Sequence, residues 1–224
     1  MLGACSTSID GSAVRRQSVP LNQVLPSPDQ VAQAVGNPLE PTGPEAVGAI
    51  TLLPNGIRDS NDAEPVDCLG SATPLMRVVY EKGDVQQVAL RDYARYGEGL
   101  TVSSVHTGVV RFGSGAEAAR MFDAFAGQWL ACDKTTVKVH VTVSSDLEWK
   151  VTDVRADGAV LSDTVLTGES KDQSAFPTEH ALGVAGPCIV EADVAVTDML
   201  PGRRVARGRA VELVRQMLDN LRGG

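Results

Sequence analysis

The sequence predicts an α+β domain, an antiparallel β-sheet with helices packed against it. Six runs from Val85 onward alternate apolar and polar residues with a period of two, as strands do when one face meets a core and the other meets water. Two further segments place apolar residues at helical spacing, so each can lay a stripe on that sheet. An Asp157-Gly158 pair between two of the runs tolerates the positive φ angles of a tight hairpin. Strands pairing in meander fashion, with the helices on one face, complete the class.

The elements follow in order. Ser27-Pro28-Asp29-Gln30 reads as a helix start, with Ser27 at the N-cap, Pro28 at the first helical position and Gln30 completing a capping box. That helix runs through Val31, Ala34 and Val35 and stops at Gly36-Asn37-Pro38. Residues 49–53 read as a short strand, and residues 54–67 as an acidic, turn-rich loop leading into Cys68. The alternating runs place strands at 85–92, 100–112, 135–143, 147–154, 159–167 and 181–196. In the clearest, Val137, Val139, Val141 and Val143 share one face, while Thr136, Lys138, His140 and Thr142 share the other. A helix begins at Ser114, with Glu117 as a second capping box, and aligns Ala118, Met121, Phe122, Phe125 and Trp129. The last, over residues 205–221, aligns Ala210, Leu213, Val214, Met217, Leu218 and Leu221.

Composition narrows the function. The chain has 224 residues, 43% hydrophobic and 21% charged, which suits one globular domain. A net charge of -8 and a pI near 4.9 oppose nucleic acid, whose phosphates an acidic surface repels. The densest basic stretch, four arginines between Arg203 and Arg209, reads as the solvated start of the last helix. No run of about 18 apolar residues is available to cross a bilayer. The cysteines at 5, 68, 132 and 188 lack metal-ligand spacing, so no metal is expected. Joining Cys68 to Cys132 would close a loop of roughly 65 residues, worth about 4 kcal/mol by chain entropy, in an exported protein. Cys188, beside Ile189 and Val190, reads as a small buried hydrophobe.

Leu2-Gly3-Ala4-Cys5 has the order of a bacterial lipobox, an apolar residue and two small ones before the cysteine that takes the lipid. The polar stretch after it lacks helical or strand period. Residues 1–24 are therefore expected to be a lipobox remnant and tether, spanning on the order of 25 Å. Residues 25–224 form the domain, at the outer face of a cell membrane.

Catalytic signatures are weak. Thr167-Gly168-Glu169-Ser170 and Asp133-Lys134-Thr135-Thr136 echo segments of P-type ion pumps, which need membrane helices that this sequence lacks. There is no Walker loop and no Gly-x-Ser-x-Gly elbow, and none of His106, His140 and His180 has a second histidine at i+4. The sequence predicts no enzyme and no cofactor. Lys138 and His140 on the polar strand face, with Trp149 on the next strand, are the expected ligand contacts.

One segment is specific. Phe112 to Val137, FGSGAEAARMFDAFAGQWLACDKTTV, is a helix ending in Gln128-x-Trp129-x-x-Cys132 before a Thr/Val-rich strand. With the Leu25-Pro26-Ser27-Pro28-Asp29-Gln30 helix start and the Asp67-Cys68 step, it resembles the extracellular sensor domain of the mycobacterial receptor kinase PknH and related envelope lipoproteins, over residues 25–221. The resemblance implies an antiparallel sheet with flanking helices, a cleft for a cell-envelope ligand, and a Cys68–Cys132 bond matching the family's first disulfide. Its second disulfide would have only Cys188 available. Without a kinase domain, sensing would act through a separate partner or give way to ligand carriage. The expected function is a non-enzymatic lipoprotein that binds a small envelope molecule, lipid or glycan. The alternatives are a lipoprotein that docks another envelope protein and, more weakly, a hydrolase.

Overall fold

The structure is a computed structural model that describes residues 19–140, 146–169, 176–197 and 208–223. Cys5, Val141, Thr142, Val143 and most of the 203–209 arginine stretch lie outside the described residues. The strands are β1 (Glu40–Pro41), β2 (Ala46–Gly48), β3 (Ala63–Glu64), β4 (Val85–Ala94), β5 (Val102–Phe112), β6 (Thr136–Val139), β7 (Leu147–Asp157), β8 (Val160–Glu169), β9 (Phe176–Ala185) and β10 (Cys188–Val196). The helices are α1 (Pro28–Val35), α2 (Leu69–Ala72), α3 (Arg77–Tyr80), α4 (Gly115–Cys132) and α5 (Arg209–Gly223). One antiparallel sheet runs β1-β4-β5-β10-β9-β8-β7-β6-β3, with β2 also on β4. The fold is the α+β, disulfide-stapled class that the sequence predicts.

The helices do not share a face. Along β10, Cys188, Val190, Ala192 and Val194 join a core with α1 and α5, while Ile189 joins a core with Trp129, Phe125 and Phe122 of α4. Both sets are apolar because β10 lies centrally and needs cover on both sides. The expectation of helices on one face is therefore corrected to a sheet between two helical layers.

Other corrections are local. The run over 181–196 is two strands, β9 and β10, joined at Gly186-Pro187, with Gly186 at φ +53°. A hairpin between two buried strands keeps both apolar, so alternation alone does not show the turn. Residues 50–52 form a 3-10 turn instead of a strand, and the pairing shifts to β2. Leu21 and Val24 are buried in the α5 core, so packed structure begins before Leu25.

Ser27 makes the full capping box: its Oγ accepts from the Gln30 amide at 3.3 Å, and its own amide donates to Gln30 Oε1 at 2.8 Å. Ser114 makes half of one. Its Oγ accepts from the Glu117 amide at 3.1 Å, but the Glu117 carboxylate turns to the Asp84 amide and to Arg120. Cys68 and Cys132 are bonded, with Cα atoms 5.6 Å apart, pinning the start of α2 to the end of α4. Cys188 is buried and bonded to no other cysteine among the described residues.

Candidate functional site

The site begins with an irregularity in β7. Between Thr152 and Arg155 its register on β8 slips, and Asp153 takes φ +59°, a bulge that bends the strand away from its neighbour. The gap faces the start of α5. Asp153 and Arg155 of β7, Ser162 and Thr164 of β8, and Gly208 and Ala210 at the helix start surround a cleft of about 160 Å3.

The rim is fastened by Glu179 of β9, which is buried. Its Oε2 accepts from the amides of Gly208, Arg209 and Ala210 at 3.0, 2.6 and 3.3 Å, and its Oε1 from Arg209 Nη1 at 3.1 Å. A carboxylate from a strand thus satisfies the orphan donors of the helix and meets its positive end.

His180 and Asp163 lie beneath the cleft, with their side chains completely covered. His180 Nε2 lies 2.7 Å from Glu191 Oε1, and the other Glu191 oxygen accepts from Tyr80 OH at 2.6 Å and the Leu75 amide at 3.1 Å. The imidazole packs on the Trp129 ring at 4.6 Å between centroids, with Nδ1 3.4 Å from the Ser71 carbonyl and 3.8 Å from Asp163. Neither Asp163 oxygen has a hydrogen-bond partner among the described residues.

Burial sets the charges here. It pushes Asp163 up to about 8, with Asp193 and Glu191 adding to the rise against the opposing pull of His180. Burial alone would lower His180, but the Glu191 hydrogen bond and the surrounding acids lift it to about 9. Asp193 rises to about 6 through burial, against the pull of His180 and His106. At neutral pH His180 is cationic and Asp163 is the neutral acid, so their 3.8 Å approach is not an ion pair.

The register lines these groups into a row. Asp92, His106, Asp193, His180 and Asp163 stand opposite one another on β4, β5, β10, β9 and β8. The row runs from half-exposed Asp92 and His106, 3.1 Å apart, into the buried His180.

With the geometry in view, a family model described as the PknH-like extracellular domain matches residues 17–220. The chain belongs to this family. The PknH-like fold is shared with the crystal structure of the extracellular domain of PknH from Mycobacterium tuberculosis, at a TM-score of 0.76 and 16% identity over 93% of this chain and 99% of that one. A putative uncharacterized protein from Mycobacterium smegmatis is also 16% identical, over 88% of this chain and 97% of its own, with a TM-score of 0.40. No curated protein matches the chain in sequence. The PknH-like domain is thus an extracellular type, and among the described residues no helix is long and apolar enough to cross a membrane.

The structure separates the three residues singled out from the sequence of the PknH-like domain. Lys138 is exposed opposite Glu148 on β7. Trp149 stands opposite Val137 and packs against the α4 core, on the other face from Lys138. His140 sits just past β6, with its ring 3.4 Å from Asp146 and its amide donating to the Asp62 carbonyl. None of the three lines the cleft. The cleft residues escaped sequence reading because a bulge leaves no mark in an alternating run. The sequence shows His180 as a histidine without a second at i+4, one residue ahead of the expected 181–196 strand, and only the register shows the acids that flank it.

Proposed function

We propose that this PknH-like domain is a non-enzymatic binding module at the outer face of the cell membrane, held there by lipid on Cys5, and that the cleft beside α5 receives a small polar envelope ligand. The observation that carries the reading is the mixed lining, where Arg155, the Ser162 and Thr164 hydroxyls and Asp153 supply donors and acceptors around one small space. At about 160 Å3 the cleft is small and open to solvent, which suits one hydroxylated ring or headgroup better than an acyl chain. A glycan fragment is the better of the two expected ligand classes. His180 and Asp163 lie covered beneath the cleft and offer a ligand no exposed side chain, and the Glu191 carboxyl already receives three donors. Residues 6–18 connect Cys5 to the fold.

Two measurements test this. Intact mass of the protein from native membranes should show a chain that begins at Cys5 and carries added acyl mass; an unacylated chain retaining Met1 removes the anchor. Titration of envelope glycan fragments, followed by amide chemical shifts, should move Ser162, Thr164 and Ala210. Arg155→Ala should abolish the shifts. Lys138 and His140 form a secondary contact surface in this reading, with Trp149 as packing beneath it, and alanine substitution of all three leaving affinity unchanged removes them from the site. The competing reading, docking of an envelope protein, is favoured by Tyr96, 88% exposed in an otherwise acidic molecule. Capture of a partner that depends on Tyr96 but not on Arg155 would favour it.

A further inference from the structure

We propose a second binding site, between α3 and α4, for a single-chain amphiphile with an anionic head. A concavity of about 360 Å3 opens there, lined by Val79, Lys82, Arg120, Met121, Phe125 and Gln128, with Ala124 at its edge. This volume lies within the range of about 300–1,000 Å3 typical of small-molecule sites. The inner wall is apolar, from Val79, Met121 and Phe125, each less than a tenth exposed.

The rim carries opposite chemistry. Lys82 and Arg120 set two cationic groups at the rim of an acidic chain, Arg120 held in an ion pair with Glu117 and Lys82 left to meet an incoming anion. Lys82 is exposed and makes no ion pair with any described residue. Gln128 likewise keeps its side-chain amide without a partner there. Arg120 is oriented by Glu117, whose carboxylate also accepts from the Asp84 amide at 3.3 Å and so ties the turn after Lys82 to the first turn of α4. Gly83 makes this closure possible: a Cβ there would lie 2.7 Å from Phe112 and 3.2 Å from Met121. Two cations over an apolar wall fit a carboxylate or phosphate monoester on an alkyl chain. A glycan would leave the wall unused, and a neutral lipid would leave the cations unused. This site is independent of the cleft beside α5.

The test uses the whole chain carrying ¹³C-methyl methionine. Decanoate, decyl phosphate and decanol are titrated below their aggregation limits, and anionic and neutral phospholipid vesicles are assayed separately. Saturable movement of the Met121 methyl with decanoate or decyl phosphate, while Met217 in the opposite core stays still, is the expected result; which head binds tighter names the anion. Lys82→Glu with Arg120→Glu should weaken the anionic probes by about tenfold without affecting decanol. Ala124→Trp, which fills the mouth from an exposed position, should abolish binding by all three. A Met121 methyl that no probe moves overturns the site. Decanol binding as tightly as decanoate overturns the recognition of the head, and binding to vesicles alone reduces the concavity to a surface that adsorbs to membranes.

Discussion

Glu191 illustrates how much one buried carboxyl organises. It receives His180 from the adjacent strand, Tyr80 from α3 and the Leu75 amide from a residue at φ +58°, so it joins the sheet to the segment above it. Tyr80→Phe should lower stability by about 1–3 kcal/mol in urea denaturation, since one acceptor loses its donor in a dry site. His180→Ala should cost more, about 3–5 kcal/mol, because it leaves the acid without its cationic neighbour. The pH dependence has a definite sign. Asp163, His180 and Asp193, at about 8, 9 and 6, all lie above their ordinary values, so each binds its proton more tightly in the folded chain. Their stabilisation is complete below the ordinary values and is lost as pH rises through about 6, 8 and 9. The urea midpoint should fall between pH 6 and pH 9, less steeply in His180→Gln; a midpoint that rises over this window contradicts the assignment. From the sequence these residues are isolated acids and histidines. That Asp193 stands between His106 and His180 depends on register, which single strands do not encode.

At the level of elements, local chemistry was legible where it was self-contained. The Ser27 box formed as its spacing required, and β7 turns into β8 one residue later than the Asp157-Gly158 pair suggests, at Gly158-Ala159, with Asp157 paired to Val160 and Gly158 at φ +58°. It was less legible where a distant group competed. Glu117 left its expected cap for Asp84 and Arg120, and the start of α5 took its anion from Glu179, 30 residues before Arg209. Glu179→Gln should therefore destabilise the fold by about 1–2 kcal/mol and shift the amides of Gly208 and Ala210, as read by denaturation and NMR. Gly183 marks where α5 approaches β9, for a Cβ there would lie 2.7 Å from Val214 and 2.9 Å from Leu218. Gly183→Ala should cost about 1–3 kcal/mol through overpacking, and a neutral result would mean that α5 can slide on the sheet.

On the scale of the molecule, the class, the sheet and the Cys68–Cys132 staple were legible, because period, stripe and cysteine position each carry them. The two-sided cover was not, because both long helices have an apolar stripe and nothing in either names a face. Reduction of the disulfide should lower the unfolding free energy by about 4 kcal/mol, compared in urea with and without reductant, as expected for a loop of this length. The α5 layer also holds the leading segment: Asn220 Nδ2 donates to the Val24 carbonyl at 3.2 Å, with Leu21 and Leu25 buried in the same core. In mechanical terms the first described residues and the last helix form one coupled strap. Tension drawn along residues 19–24 is shared between α5, through Asn220, and the sheet, through Arg111 of β5, which donates to the Val19 carbonyl, so a load at that end is carried by the helix and by the strand beside β10.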